Sequence, residues 1–223
     1  MPQRSTSSPD QYLSRADPVL AGVIDRVVRE ADGVRPTLTP DPAVPPDPYL
    51  PADGYGVLVR AIVSQNISTV ASRAIHRRLL ERFGGRPPTP QEILDEDPDL
   101  RMAVGLSRAK MVYLRSLAEH ILSGELDLER LHELPDEDVV AQLSAVKGVG
   151  TWTADIYLIF HMRRPDVLPV GDLELRRTVA RVYGLPASPG PAELERIAQP
   201  WRPHRSLACL YLWQLTENTP QIG

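Results

Sequence analysis

Apolar residues recur every three or four positions through most of the chain, with polar residues between them. This spacing places the apolar side chains on one face of an α-helix. No segment shows the strict apolar–polar alternation of a half-buried β-strand, so the pattern predicts an all-α protein. The predicted helices lie at about 17–31, 53–66, 68–83, 107–123, 139–146, 151–160, 172–183, 191–198 and 203–215, with short ones near 90, 98 and 128–131.

Two segments lack the helical pattern. Residues 1–16 are polar and rich in serine, which predicts a flexible tail. Residues 35–51 contain seven prolines, and proline interrupts regular helices because it lacks an N–H group. We therefore expect an extended segment between the first helix and the second.

A short glycine turn separates the two central helices. It reads Lys147-Gly148-Val149-Gly150, and Thr151 opens the next apolar run. Gly148 can adopt the positive φ that ends the first helix. Gly150 leaves out a side chain where another backbone could approach, and Thr151 is a residue type favoured at a helix N-cap. These features predict a helix-hairpin-helix at about 135–161.

The main-chain N–H groups at the start of the second hairpin helix have no intrahelical acceptor. Together with the positive end of the helix dipole they form an anion site. A DNA phosphate fits such a site without any base being read. An ordinary joint between two helices is the alternative, since glycine often ends helices.

Composition restricts the remaining possibilities. The formal net charge is −4, while arginines gather in several short clusters that are compatible with one basic face on an otherwise acidic protein. Cys209 is the only cysteine, which excludes an intrachain disulfide and a four-cysteine iron–sulfur cluster. The five histidines show no metal-ligand spacing. No apolar run is long enough to cross a membrane and no signal peptide is visible, so we expect a soluble cytoplasmic protein.

The segment after the hairpin suggests a family. A loop at 168–171 leads to Asp172, which begins another helix. The hairpin followed by this aspartate resembles the helix-hairpin-helix–Gly/Pro/Asp superfamily of DNA glycosylases. The Ile-x-x-Gln-x-x-Ser core of Tyr55–Gly84 and the segment Trp201–Trp213 are similar to the AlkA-like branch, the 3-methyladenine DNA glycosylase II type. The chain looks like a compact form without the N-terminal β domain of larger relatives.

The resemblance implies an architecture of two helical lobes with a cleft between them, in the helix-hairpin-helix glycosylase fold. One lobe would comprise residues 53–168. The other would combine residues 17–52 with 169–223, so that Asp172 lies at the junction where binding sites tend to form.

The resemblance assigns Asp172 the catalytic role. Breaking an N-glycosidic bond builds positive charge on the sugar, which a fixed carboxylate stabilises, and the same group can orient or deprotonate the attacking water. A helix N-cap is the structural alternative for this residue. Trp152 occupies the slot where some relatives place a lysine that cuts the strand through a Schiff base. The chain is therefore expected to be a monofunctional hydrolase.

Four further side chains receive roles from the resemblance. Trp152 and Trp213 would line the base pocket, because a cationic alkylated base gains roughly 0.5–2 kcal/mol over an indole face; packing in the core is the alternative. Asn66, with Gln65 beside it, would fill the gap left by the flipped base. The backbone grip would use Lys147, Gly148, Val149, Gly150 and Thr151. The resemblance also implies a possible monovalent cation on main-chain carbonyls of the hairpin, and no side-chain metal site is visible.

The sequence thus favours a monomeric enzyme that excises alkylated bases, of the 3-methyladenine and 7-methylguanine type, from double-stranded DNA without a cofactor. One alternative is a non-enzymatic hairpin module that binds DNA. Another is a bifunctional glycosylase/lyase for oxidised bases, which Trp152 and the lack of four cysteines oppose.

Overall fold

The structure is a computed structural model, and it describes residues 8–39, 53–96 and 100–215. These residues form helices and no strand, so the all-α prediction is confirmed. Two 3₁₀ turns lie at Arg130–Glu133 and Gln199–Trp201. The α-helices are α1 (Pro9–Ala16), α2 (Pro18–Glu30), α3 (Gly54–Ser64), α4 (Thr69–Arg82), α5 (Pro90–Asp95), α6 (Leu100–Val104), α7 (Arg108–Ser123), α8 (Asp136–Ala145), α9 (Thr151–Phe160), α10 (Leu173–Val182), α11 (Pro191–Ile197) and α12 (Arg205–Gln214).

Short polar side chains begin several of these helices, as the sequence predicts. The Asp53 carboxylate accepts from the N–H of Gly56 at the start of α3. The Ser107 hydroxyl accepts from the N–H of Lys110 at the start of α7. Each bond satisfies a donor that has no partner inside its own helix, which locates the helix start.

The prediction of a flexible tail over residues 1–16 is wrong for the part that the structure describes. Pro9–Ala16 form α1, which begins with a reciprocal capping box between Ser8 and Gln11. Leu13 is fully buried, so the helix is held by packing as well as by its cap. Residues 1–7 lie outside the described residues, and so do residues 40–52, which hold most of the proline-rich segment that we expect to be extended.

The described residues divide into two compact units. The first contains residues 8–39 and 163–215, and the second contains residues 53–96 and 100–162. The lobes expected from the family resemblance divide the chain after residue 168, and their cleft stays a prediction. None of the described helices has the length and apolar character that a membrane span needs.

The first unit is centred on the buried carboxylate of Asp17, the N-cap of α2. One oxygen accepts from the N–H groups of Val19 at 2.9 Å and Leu20 at 3.1 Å. The other accepts from the Tyr183 hydroxyl and from the Trp201 indole N–H at 2.8 Å. A buried carboxylate with four donors is satisfied, so this group joins α2 to the later helices of the unit.

The second unit is built around α3, which is buried on all sides between α4, α7 and α9. Such a helix is expected to be apolar around its whole circumference. Arg60 is the exception, and its Nη1 lies 3.4 Å from Nδ1 of the buried His76. Burial, and then the Arg60 charge, lower the pKa of His76 to about 4. His76 is therefore a neutral core residue at pH 7.

Candidate functional site

The predicted helix-hairpin-helix is present in the second unit. The helices α8 and α9 pack together, and residues 146–150 join them. Gly148 has φ +86°, and a Cβ placed on it would lie 2.1 Å from the ring of Tyr113 on α7. Glycine is thus required at 148 for two reasons, the left-handed backbone and the contact with the ring.

Gly150 differs from Gly148 in both respects. Its φ is −96°, a value open to any residue, and no atom lies within 4 Å of a Cβ built there. Nothing in the described part of the protein therefore demands glycine at this exposed position. An open backbone at the start of α9 fits the predicted approach of another backbone.

The predicted cap at Thr151 is wrong. Gly150 is the N-cap of α9, and Thr151 is the first helical residue, with no side-chain capping bond at this helix start. Because glycine has no side chain, it leaves the amides of the first turn without the hydroxyl acceptor that a Thr cap would have supplied. An external anion can take that place.

Two amides of the predicted phosphate grip already donate inside the unit. Lys147 N donates to the Ser116 hydroxyl at 3.3 Å, and Val149 N donates to Val146 O at 3.0 Å. The Val149 side chain is buried, so it anchors the turn. Of the predicted backbone contacts to DNA, those at the first turn of α9, which starts at Gly150 and Thr151, are therefore favoured over those at Lys147 and Val149.

The structure separates the two residues predicted to fill the gap of a flipped base. The Gln65 amide Nε2 donates to Gly148 O at 2.9 Å and to Thr153 Oγ1 at 3.1 Å, so Gln65 ties the α3–α4 turn to the hairpin. Asn66 is exposed and has φ +54°. Asn is one of the few residues that tolerate this backbone region. Asn66 is therefore the residue of the pair that remains available to a ligand.

The two tryptophans lie in different units and differ in exposure. Trp152, in the first turn of α9, is only partly buried, whereas Trp213 on α12 is 1% exposed. Burial of Trp213 agrees with the core-packing alternative. Trp152 keeps accessible surface beside the hairpin turn, and a pocket lined by both stays a prediction.

Few lysines are available to act as a Schiff-base nucleophile at the hairpin. The chain has two lysines, Lys110 and Lys147. The Lys110 ammonium is buried and donates to Val63 O at 2.7 Å. Burial lowers the pKa of Lys110. Lys147 is exposed, yet it precedes the two glycines. Trp152 occupies the position that the resemblance gives to the lysine of lyases, and the absence of lyase chemistry stays a prediction.

Asp172 lies in the first unit as the N-cap of α10. Its Oδ1 accepts from the N–H of Leu175 at 2.7 Å, and the residue is 5% exposed. The capping alternative is thus observed, and it fixes the direction of the carboxylate. Capping and catalysis do not exclude each other, because a catalytic group must also be held in one orientation. The catalytic role stays a prediction.

The loop that leads to Asp172 is anchored by the start of α12. The Arg205 guanidinium donates to the Asp166 carboxylate at 2.8 Å, and Arg202 donates to the same carboxylate at 2.7 Å. The Ser206 hydroxyl accepts from Val167 N at 2.9 Å and donates to Arg164 O at 2.7 Å. Arg202, Arg205 and Ser206 of the C-terminal motif therefore support the loop before Asp172.

The hairpin carries one carboxyl group with a shifted proton affinity. Burial, and then the charge of Asp136, raise the pKa of Asp155 on α9 to about 7. Asp155 lies four residues after Thr151, on the same side of α9. A carboxyl group that is partly neutral at pH 7 repels a phosphate at this helix start less than an ionised one would.

No group of three or more His, Cys, Asp or Glu side chains that could hold a metal ion occurs in residues 8–39, 53–96 and 100–215. Among the hairpin carbonyls, Gly148 O accepts from Gln65 and Val146 O accepts from Val149. A cation bound to either of these two carbonyls would share the oxygen with that donor, and a monovalent cation at the hairpin stays a prediction.

Comparison with known proteins gives a consistent result. Residues 59–203 match the family model described as HhH-GPD superfamily base excision DNA repair protein. DNA-3-methyladenine glycosylase 1 of Schizosaccharomyces pombe is 34% identical over 165 residues, 73% of this chain and 72% of that protein. The alkylbase DNA glycosidase-like protein mag2 of the same yeast is 29% identical over 212 residues, 93% of this chain and 96% of that protein.

A solved structure is also similar to this chain. It is that of 3-methyladenine DNA glycosylase from the same yeast in complex with abasic DNA, and it aligns with a TM-score of 0.76 at 30% identity. The alignment covers 93% of this chain and 96% of the other.

Proposed function

Since this chain belongs to the HhH-GPD superfamily of base excision DNA repair proteins, we propose that it is a monofunctional DNA glycosylase. It flips alkylated bases, of the 3-methyladenine and 7-methylguanine type, out of double-stranded DNA and excises them hydrolytically, leaving an abasic site. The observation that carries the proposal is the Asp172 carboxylate, which its bond to Leu175 N holds in one direction. The resemblance assigns this residue the role of the family's aspartate. Relatives named as 3-methyladenine glycosylases support the substrate class.

The hairpin binds the DNA backbone in this proposal. The first turn of α9 presents main-chain N–H groups and the positive end of the helix dipole, and the lack of atoms around Gly150 leaves room for a phosphate. Such contacts hold the strand without reading sequence, as a repair enzyme that must scan DNA requires.

Extruding a base costs a few kcal/mol of stacking and pairing energy. The exposed Asn66, presented on a left-handed backbone, enters the space that the base leaves and can hydrogen-bond the orphaned partner base. Gln65 holds the turn that carries Asn66 against the hairpin, so it positions Asn66 rather than entering the DNA itself.

The chemical step requires little more than one carboxylate. Alkylation at N3 or N7 puts positive charge on the base, which makes the base a good leaving group. Asp172 stabilises the positive charge that develops on the sugar and directs the attacking water. The partly exposed Trp152 offers an indole face to the cationic base.

The experiment is excision by the purified protein across duplexes that each carry one alkylated base, scored as abasic sites. Borohydride added to the same reactions tests for a Schiff base. Release of alkylated bases without a trapped enzyme–DNA adduct supports the proposal. A strong adduct would indicate a bifunctional lyase. DNA binding without release of a base from any duplex would indicate a non-enzymatic DNA-binding module, in which Asp172 would serve only as the N-cap of α10.

A further inference from the structure

One side of α7 carries three side chains that contact the glycine turn of the hairpin or the end of α3, just before the turn with Asn66. Lys110, Tyr113 and Ser116 are spaced three residues apart and therefore lie along the same side of the helix. None was assigned a role from the sequence. The one sequence feature that could have indicated such a role is Lys110, a charged residue next to Met111 at the start of the apolar stripe of α7.

Lys110 holds the C-terminal end of α3. Its ammonium donates to Val63 O at 2.7 Å, and Val63 lies in the last turn of α3, where carbonyls lack intrahelical donors. Two residues later comes the turn with Gln65 and Asn66. Lys110 is 8% exposed, and an apolar side chain would be cheaper to bury than an ammonium group. The bond to Val63 O therefore offsets part of the cost of burying the ammonium group, and it fixes the end of α3 next to this turn.

The next two residues on this side support the hairpin. The Tyr113 ring packs against Gly148 so closely that no Cβ fits between them. The Ser116 hydroxyl accepts from Lys147 N at 3.3 Å. Gln65 completes the arrangement, because its amide reaches from the α3–α4 turn to Gly148 O. The turn that carries Asn66 and the glycine turn are thus both fixed to α7 and to each other.

We propose that α7 is a positioning helix that sets the spacing between the base-gap turn at Asn66 and the glycine turn that leads into the phosphate grip at the start of α9. The inference rests on the proposed function. Lys110 and Ser116 are separated by about 9 Å along the helix axis. Lys110 acts on base extrusion through Asn66, and Tyr113 acts on DNA affinity through the hairpin.

The same helix offers a matched control. The Arg115 guanidinium donates to Ile93 O at 3.0 Å and Leu94 O at 3.1 Å, at the end of α5. Arg115 therefore makes the same kind of contact as Lys110, a cation on the last carbonyls of a helix, but on a helix without a proposed DNA contact. Lys110→Met removes one bond to the end of α3, and Arg115→Met removes two bonds to the end of α5.

The test measures three quantities for each variant: the midpoint of thermal unfolding, the affinity for a duplex with a tetrahydrofuran abasic analogue, and the single-turnover excision rate on a duplex with one 7-methylguanine. Lys110→Met should lower the excision rate about tenfold with affinity nearly unchanged, and Lys110→Arg should recover part of the rate. Tyr113→Ala should weaken affinity about tenfold. Arg115→Met should change only the unfolding midpoint.

Combination with Asn66→Ala distinguishes positioning from general damage. If Lys110 acts through Asn66, the double variant excises no more slowly than Asn66→Ala alone. Multiplied rate losses, or a folded Lys110→Met protein with the wild-type rate, would overturn the inference and leave the proposed function intact. A wild-type protein that excises nothing would overturn both.

Discussion

The two hairpin glycines allow a test that separates DNA binding from folding. Alanine at 148 must adopt φ +86° and place its Cβ 2.1 Å from the Tyr113 ring. The left-handed backbone costs about 1–2 kcal/mol and the overpacking about 1–3 kcal/mol more. Alanine at 150 has an ordinary backbone conformation and open space around its Cβ.

We therefore expect Gly148→Ala to affect mainly folding stability and Gly150→Ala to affect mainly DNA affinity. Gly148→Ala should lower the free energy of unfolding by about 2–5 kcal/mol. For Gly150→Ala, a less flexible unfolded chain stabilises the fold and a poorer N-cap destabilises it, so the net change stays within about 1 kcal/mol. Its Cβ would occupy the approach of the phosphate. Loss of one charge-assisted hydrogen bond, about 1.5–3 kcal/mol, weakens DNA binding about 10- to 100-fold.

Urea denaturation measures the stability of each variant, and fluorescence anisotropy with a labelled abasic-analogue duplex measures affinity at one fixed salt concentration. The Gly150→Ala protein should unfold like the wild type and bind poorly. If Gly150→Ala binds with wild-type affinity, the first turn of α9 does not receive a phosphate, and the proposed role of the hairpin is wrong.

Three further predictions concern stability. Asp17→Ala leaves the Tyr183 and Trp201 donors without their acceptor and should cost about 3–5 kcal/mol in urea denaturation, while a small loss would contradict the proposed centre of the first unit. The pKa of His76 is about 4 in the folded protein and is higher in the unfolded chain. The stability that neutral His76 contributes to the free energy of unfolding is therefore present above pH 6.5 and is lost as pH falls toward 4. The loss is on the order of 3 kcal/mol, and His76→Gln should reduce the pH dependence of the unfolding free energy in that range. The pKa of Asp155 is raised to about 7, so the stability that its neutral form contributes to the free energy of unfolding is lost as pH rises from about 4 through 7. Compared with the wild type, Asp155→Asn should therefore have a higher unfolding midpoint at pH 8 and the same midpoint at pH 4.

The family and the all-α fold were predictable because their signals are local. Gly148 permits the hairpin turn through its own backbone freedom, although α8 already ends at Ala145, before the glycine turn. Asp17, Asp53 and Ser107 mark helix starts through bonds to residues two or three positions away. The resemblance to the HhH-GPD superfamily, drawn from such short motifs, is confirmed by the family match.

Contacts between distant segments could not be predicted in this way. Leu13 is fully buried in α1, although the polar residues around it give the sequence of a tail. Gln65 and Asn66 are adjacent and both polar, yet one bonds the hairpin 83 residues away and the other is exposed. Thr151 has the residue type of a cap, but the chain places Gly150 at that position, and only the backbone path decides between them.

The central claim is that Asp172 stabilises the transition state of base excision. Asn caps a helix about as well as Asp, so Asp172→Asn should keep the bond to Leu175 N and the stability of α10. Single-turnover excision of one alkylated base from a duplex should then be at least about 100-fold slower than for the wild type, with unchanged affinity for the abasic-analogue duplex. Excision by Asp172→Asn at close to the wild-type rate would contradict the catalytic assignment.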